Sequence, residues 1–483
     1  MATNLGPVDV DAVLDRVRFR GLPALVLVCS VLTLALDGLD IQVIGFVAPA
    51  LAADFGVERE ALAAVLAASL IGMTLGGITV GPIGDRLGRR PALLISIVLF
   101  GGSTLAGSTV SSLAELTFWR LVAGIGLGGA LPNITALMVE FSPPRWRSQA
   151  VAAAIVGVPI GGMLGAAVAA TLVPTFGWRS MFVLGGLMPL AWAVCLYYVL
   201  PESPRYLATR QDRWRELASI LNRIDQTKPY SGSETFVLGS GGRVKGTGRL
   251  RNLFSPTLLR DTVAAWAIFA TNIFAVYAFF SWAPVVLTGL GLDLATAVRG
   301  ALVFNFAGIL GALTLSWLIS RFGSRLPLTG AALSATTALL YLAWLASARG
   351  ETAPSLVPLM GGIAAAGFVI NAIQVGMYAV VAHVYPTELR ASGVGWALGV
   401  GRLGGIFSSF AGAFLLASAA GEAGFFLGVA AALAGTTLAV LALTRHIPPI
   451  PSDPARSEIE AAPRDLTSRP SSNPAARRST RGR

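Results

Sequence analysis

Twelve stretches of about 20 mostly apolar residues punctuate this chain, and no other feature limits its fold so tightly. A helix of that length crosses the ~30 Å hydrocarbon core of a bilayer, where each backbone polar group must be satisfied within its own segment. The first six stretches run near 23–51, 60–83, 91–110, 115–141, 148–171 and 181–200. The second six run near 263–288, 297–320, 327–346, 356–384, 392–417 and 423–444. The first is too long for a cleavable signal and is interrupted by Asp37 and Asp40. Only 13% of the 483 residues are charged, about half of what a water-facing surface carries. That excludes an ordinary cytosolic enzyme, a secreted scaffold and a disordered regulator. Cys29 and Cys195 both lie inside apolar runs, so no disulfide framework or zinc cluster is expected. The fold class is therefore an all-α integral membrane protein with twelve transmembrane helices in two sets of six.

The net charge of +11 follows topology and does not indicate nucleic acid. Arg86, Arg89, Arg90, Arg145, Arg147, Arg210, Arg321, Arg325 and Arg390 fall in alternate loops; the other loops hold Asp54, Glu58, Glu60, Glu115, Asp293 and Glu422. Basic short loops stay in the cytoplasm. The expected order is a cytoplasmic N-terminus (1–22), a six-helix bundle (23–200), a cytoplasmic central loop (201–260), a second bundle (261–444) and a disordered cytoplasmic tail (445–483).

The halves are related. Asp37-Gly38 through Ala48-Pro49 aligns with Asn272-Ile273 through Ala283-Pro284, 235 positions later. The same shift places Arg86-Leu87-Gly88 and Arg90 on Arg321-Phe322-Gly323 and Arg325, and Pro143, Arg147, Gly161 and Gly162 correspond to Pro386, Arg390, Gly404 and Gly405. Two six-helix repeats of equal orientation imply an alternating-access transporter with its site at the membrane midplane, between the halves.

The loop after segment 2 reads Gly81-Pro-Ile-Gly-Asp85-Arg86-Leu-Gly88-Arg89-Arg90. Glycines permit a tight turn between helices, and Asp85 with the arginines can form an ion-pair latch, to which Arg390, after segment 10, is also assigned. This loop resembles the signature of the major facilitator superfamily. Arg120-x-x-x-Gly124-x-Gly126, Gly177-Trp178-Arg179 and Pro201-Glu202-Ser203-Pro204-Arg205 are similar to further marks of that superfamily. The second loop departs from the pattern, with Ser320 where the latch carboxylate would stand, so a second latch should be weaker or use another acid.

Two stretches narrow the resemblance. One is Asp37-Gly-Leu-Asp40-Ile-Gln42-Val-Ile-Gly45-Phe46-Val-Ala-Pro49; the other runs from Tyr385-Pro-Thr-Glu-Leu-Arg390 to Arg402 and Gly404-Gly405. They resemble the aromatic acid:proton symporters, which import benzoate-type carboxylates into bacteria. The resemblance implies roles in transport for Asp37, Asp40, Asp85 and Arg402.

The residues support that implication on their own chemistry. An ionisable group inside a spanning helix costs at least ~2.5–3.5 kcal/mol and by default marks function. Asp37 and Asp40 are three apart, on one helix face, and two neighbouring carboxylates in a low-dielectric cleft do not both ionise easily, as proton coupling requires. A pair of structural salt-bridge acids is the alternative. Arg402 lies near the midplane and Arg120 nearer the far end of segment 4. Either guanidinium can clamp a carboxylate bidentately. Arg402 is the expected substrate anchor, and Arg120 a partner of the segment 1 acids or an outer selector. Gln42, Phe46, Asn272, Tyr277, Asn371 and Gln374 offer the flat apolar contacts and orienting polar groups that an aromatic acid needs. His383 reads as a helix-end histidine.

No phosphate-binding loop occurs, so ATP-driven pumping, cofactors and metals are not expected. The expected function is import of an aromatic carboxylate with protons across the bacterial inner membrane, by a monomer. A sugar or polyol porter, a drug exporter and a non-transporting sensor of the same ligand are the rivals.

Overall fold

A computed structural model describes residues 7–16, 19–225, 229–239, 250–348 and 355–449. Of the expected tail (445–483), residues 450–483 lie outside these residues. Helix α1 (Val10–Arg16) follows a two-residue strand β1 (Val8–Asp9). The first half then contains α2 (Leu22–Phe55), α3 (Ala63–Thr79), α4 (Ile83–Leu87), α5 (Arg89–Ala106), α6 (Leu113–Phe141), α7 (Arg147–Ile155), α8 (Gly157–Phe176) and α9 (Arg179–Val199). Between the halves lie α10 (Pro204–Ala208), α11 (Trp214–Ile224) and β2 (Phe236–Val237). The second half contains α12 (Leu259–Gly289), α13 (Leu294–Phe322), α14 (Arg325–Ser347), α15 (Leu356–Val384), α16 (Thr387–Ala417) and α17 (Gly421–Ala442).

Among the described residues, eleven helices are long and apolar enough to cross a membrane. The third expected span forms α5, whose 18 residues reach about 27 Å and include Arg89 and Arg90 in the first turn. The fifth span is divided into α7 and α8 at Val156. Helix α2 starts with Pro23 in its first turn, where a missing N–H costs nothing, and ends on Gly56 at φ 61°. Pro49 near its end and Pro284 near the end of α12 occupy equivalent positions in the two repeats.

The duplication read from sequence is visible in packing. In the first half α3 packs on α6, α5 on α6 and α9, and α2 on α8; in the second, α13 packs on α15, α14 on α15 and α17, and α12 on α16. The halves meet where α2 faces α12, α3 faces α16 and α8 faces α13. Because lipid removes the hydrophobic drive between helices, close van der Waals contact holds such a bundle together. A Cβ on Gly38 would overlap the Val158 carbonyl, and one on Gly45 would overlap the Phe280 carbonyl across the seam. Outward-facing Leu313, Trp317 and Phe414 are more than half exposed, as lipid contacts require.

Two regions are more ordered than the sequence suggests. The chain start and the central segment form a cap on the first half: β1 pairs in parallel with β2, and Val10, Leu14, Leu207, Leu217, Leu221 and Phe236 are buried together. Arg205 bonds Asp11 at 2.8 Å, and Arg147 bonds Asp15 at 3.0 Å. In the second half the buried Asp261 accepts from the Thr444 amide at 2.7 Å and lies 3.6 Å from Arg445. Asp261, at the start of α12, thus holds the chain after α17 and not the loop of Arg321 and Arg325.

Candidate functional site

The site is built on α2, which lies at the seam and presents different faces to its neighbours. Asp37, Ile41 and Ile44 recur at helical spacing on one line, and Ile41 and Ile44 line a central cavity together with Met73, Arg120, Tyr277 and Ser281. That cavity has a volume of about 10 Å³, room for roughly one water and far below the ~300 Å³ of a small-molecule pocket. The seam is shut at this level.

Asp40 turns away from that line, toward α5 and α6. Thr104 Oγ1 donates to Asp40 Oδ1 at 2.6 Å, and Arg120 Nη1 donates to Oδ2 at 3.0 Å. Arg120 Nη2 donates to the Asp40 carbonyl at 3.1 Å and Nε to Ser69 Oγ at 2.9 Å. Arg120 is 1% exposed, so its guanidinium is committed to Asp40 and is not open to substrate. Of the two roles that the sequence left to Arg120, the partner role fits and the substrate role does not. Asp37 is different: it is 2% exposed, and its Oδ1 has no hydrogen-bond partner. The two carboxylates share a helix but not an environment, because a three-residue step rotates a side chain by about 60° from eclipse.

Arg402 reaches the same region from the other half. It lies midway along α16, and its Nη1 donates to the Met73 carbonyl at 3.3 Å across the seam. A Cβ on Gly77 would crowd the same nitrogen. Among the described residues no carboxylate pairs with Arg402. A half-buried guanidinium resting on a main-chain carbonyl retains most of its capacity for an anion.

The expected lining residues divide. Asn272 Nδ2 donates to Gln374 Oε1 at 2.8 Å, Gln374 Nε2 reaches Tyr378 Oη at 3.4 Å, and Asn272 Oδ1 has no partner. Asn272 and Asp37, equivalent in the two repeats, thus both present an unpaired buried oxygen. Tyr277 lines the central cavity edge-on to Phe280. Three of the expected residues make contacts away from the cavity. Phe46 is fully buried against Gly165, Asn371 bonds its own helix at the Gly367 carbonyl, and Gln42 exchanges hydrogen bonds with Asn305 of α13.

The loop after α3 makes its ion pairs inside the first half. Arg89 pairs with Asp85 at 2.5 Å and with Glu140 of α6 at 3.6 Å. Glu202 Oε1 accepts from the Arg89 and Arg90 amides at 2.9 and 3.2 Å. The Arg90 side chain donates to the Tyr197 carbonyl and stacks on that ring. Arg86 contributes its carbonyl to Tyr206 Oη and Arg210, not its side chain. Gly88 adopts φ 109°, and a Cβ there would overlap Glu202 Oε2. Arg390 is exposed at the start of α16 and, among the described residues, forms no ion pair with this loop. Gly81 packs near Pro132. Sequence reasoning missed Glu140 as a latch acid, and it quoted Glu202 only as a family mark. Burial pushes the Glu202 carboxyl above its usual value, against the hydrogen bonds from Ser203, Arg90 and Arg89 that lower it. No group of three or more His, Cys, Asp or Glu residues able to hold a metal occurs among the described residues. His383 is exposed at the end of α15.

Comparison with known proteins agrees with this fold. The profile described as Major Facilitator Superfamily matches residues 30–359. The 4-hydroxybenzoate transporter PcaK of Acinetobacter baylyi is 34% identical over 86% of this chain and 90% of its own. The gallate transporter of Pseudomonas putida is 34% identical over 85% of this chain and 89% of its own. The 3-(3-hydroxy-phenyl)propionate transporter of Escherichia coli is 30% identical over 84% and 91%. Among solved structures, a D-xylose-proton symporter superposes with a TM-score of 0.68 over 89% of this chain and 98% of its own, at 19% identity, and so shares the fold. The chain belongs to the major facilitator superfamily, in the branch that holds these relatives, and is a multi-pass membrane transporter and not an enzyme.

Proposed function

We propose that this protein carries a benzoate-type aromatic carboxylate together with protons across a bacterial inner membrane by alternating access. The Arg86–Arg90 end faces the cytoplasm with both termini, and the Asp54, Glu58 and Glu422 end faces the periplasm. The observation that carries the reading is the pair of unmatched charges on opposite sides of the seam: Asp37 on α2, with an orphan oxygen, and Arg402 on α16, bonded to a carbonyl. A substrate carboxylate on Arg402 and a proton on Asp37 would leave both neutralised, which lowers the cost of moving the loaded site through an apolar barrier. Asp40, bonded by Arg120 and Thr104, keeps α2 registered on α5 and α6. Asn272, Gln374 and Tyr277 orient the ring, and the bundles 23–200 and 261–444 are the bodies that rock, in a monomer.

The aromatic specificity rests on the relatives, whose names describe 4-hydroxybenzoate, gallate and hydroxyphenylpropionate transporters. In the Pro201–Arg205 stretch Glu202 binds the amides of Arg89 and Arg90, a structural task that gives no support to a sugar as substrate. The test is uptake of labelled benzoates into proteoliposomes after an acidic step outside. Wild type should accumulate label, and Asp37→Asn should lose accumulation while retaining exchange of internal for external substrate. Accumulation by Asp37→Asn at the wild-type level would refute the proton role, and wild-type uptake indifferent to the pH step would refute symport.

A further inference from the structure

Among the described residues, the polar bridges between the halves fall at the centre or toward the acidic end. The deepest is a reciprocal amide pair: Asn305 Nδ2 donates to Gln42 Oε1 at 2.9 Å, and Gln42 Nε2 donates back to Asn305 Oδ1 at 3.4 Å. Both side chains are fully buried. Gln42 is held from behind by Gly162, where a Cβ would overlap the amide. Asn305 is fixed by a second bond to the Ala301 carbonyl, 2.9 Å away on its own helix. Three residues further along α2, Gly45 lets the backbone rest on the Phe280 carbonyl of α12. At the rim Arg59 lies 3.7 Å from Glu422 across the seam, on a groove of about 560 Å³ shared by Pro49, Ala52, Leu416 and Glu422. The three contacts stack in order from the cavity beside Arg120 to the acidic surface.

We infer that the Gln42–Asn305 amide pair is the gate that holds the empty carrier closed on the acidic side, with the Gly45–Phe280 approach as its backing. An amide pair suits this task better than an ion pair. It satisfies two buried donors and two acceptors when shut, and water satisfies the same groups when the seam opens, so neither state strands a charge. Its directional geometry also requires both halves in register before it closes. The apolar rows beside it supply adhesion but no such register. Asn305 thereby acquires a positioning role in transport without touching substrate. An importer must reopen this side after each delivery, so the strength of the pair sets the rate of the empty return.

Two lost hydrogen bonds correspond to roughly a tenfold change in the ratio of closed to open carriers. The test uses the full chain with Cys29 and Cys195 replaced, spin labels at Ala53 and Ser418, both exposed at the acidic end, and no substrate. Wild type should give a predominantly short distance. Asn305→Leu should move about tenfold more of the population to a long distance. Gly45→Ala, which leaves both amides intact and forces the backbones apart, should move it in the same direction. Net uptake in Asn305→Leu should rise relative to exchange by a factor of several, because exchange omits the empty return. Unchanged distance distributions in both variants would overturn the inference, as would a shift in Gly45→Ala alone. Since the distances are read without substrate, that failure is separable from any failure of the aromatic-acid reading.

Discussion

The buried pair of Arg120 and Asp40 gives the sharpest energetic test. Replacing Arg120 with Met removes the 3.0 Å contact to Oδ2, the 3.1 Å contact to the Asp40 carbonyl and the bond to Ser69, and leaves a fully buried carboxylate with Thr104 as its partner. Breaking one side of a buried pair costs about 3–5 kcal/mol, most of it the stranded charge. For a bundle of this size 1 kcal/mol moves the melting temperature by about 2–4 °C, so Arg120→Met should lower it by roughly 6–20 °C. Adding Asp40→Asn removes the charge and keeps an oxygen for Thr104. The double variant should therefore recover at least half of the loss, a coupling that distant substitutions lack. The assay is thermal unfolding of the detergent-purified protein at one fixed heating rate. If Arg120→Met melts within 2 °C of wild type, or if the second substitution deepens the loss, the pair does not bear the charge balance assigned to it.

Two further outcomes follow from the latch loop. Gly88→Ala places a Cβ in a left-handed backbone and against Glu202, so it should cost about 1–3 kcal/mol and lower the melting temperature by several degrees. No loss would show that the loop relaxes freely. The Glu202 carboxyl, held above its usual value by burial, favours the fold most below about pH 4.5, and that contribution is lost as pH rises through its elevated value. Glu202→Gln, uncharged throughout, should therefore gain melting temperature relative to wild type between pH 4.5 and 8; a difference independent of pH would contradict the burial.

Much of the fold was legible because lipid leaves the chain few choices. Segment lengths, the charge bias of the loops and the 235-residue shift each point to two six-helix bundles, and the packing of α2 on α8 repeats in α12 on α16. The site was legible in residue type but not in direction. Asp37 and Asp40 look equivalent at three-residue spacing. Only the position of α5 and α6 distinguishes the matched carboxylate from the orphan one. Phe46 and Gln42 have the composition of a ring-binding wall, yet close helix approach at Gly165 and Gly162 turns them inward. The cap was invisible because two-residue strands and short helices leave no periodic trace, although Arg205 and Asp11 have complementary charges 194 positions apart.

Each half is closed by its own chain ends: β1 and α1 against α10, α11 and β2 in the first, and Thr444 and Arg445 against Asp261 in the second. The covalent seam therefore falls within 240–249, after the last strand of one body and before the first turn of the other. A polypeptide severed there keeps every one of these ties. Two fragments produced side by side would each retain a finished exterior, and their reunion would depend on the facing surfaces alone.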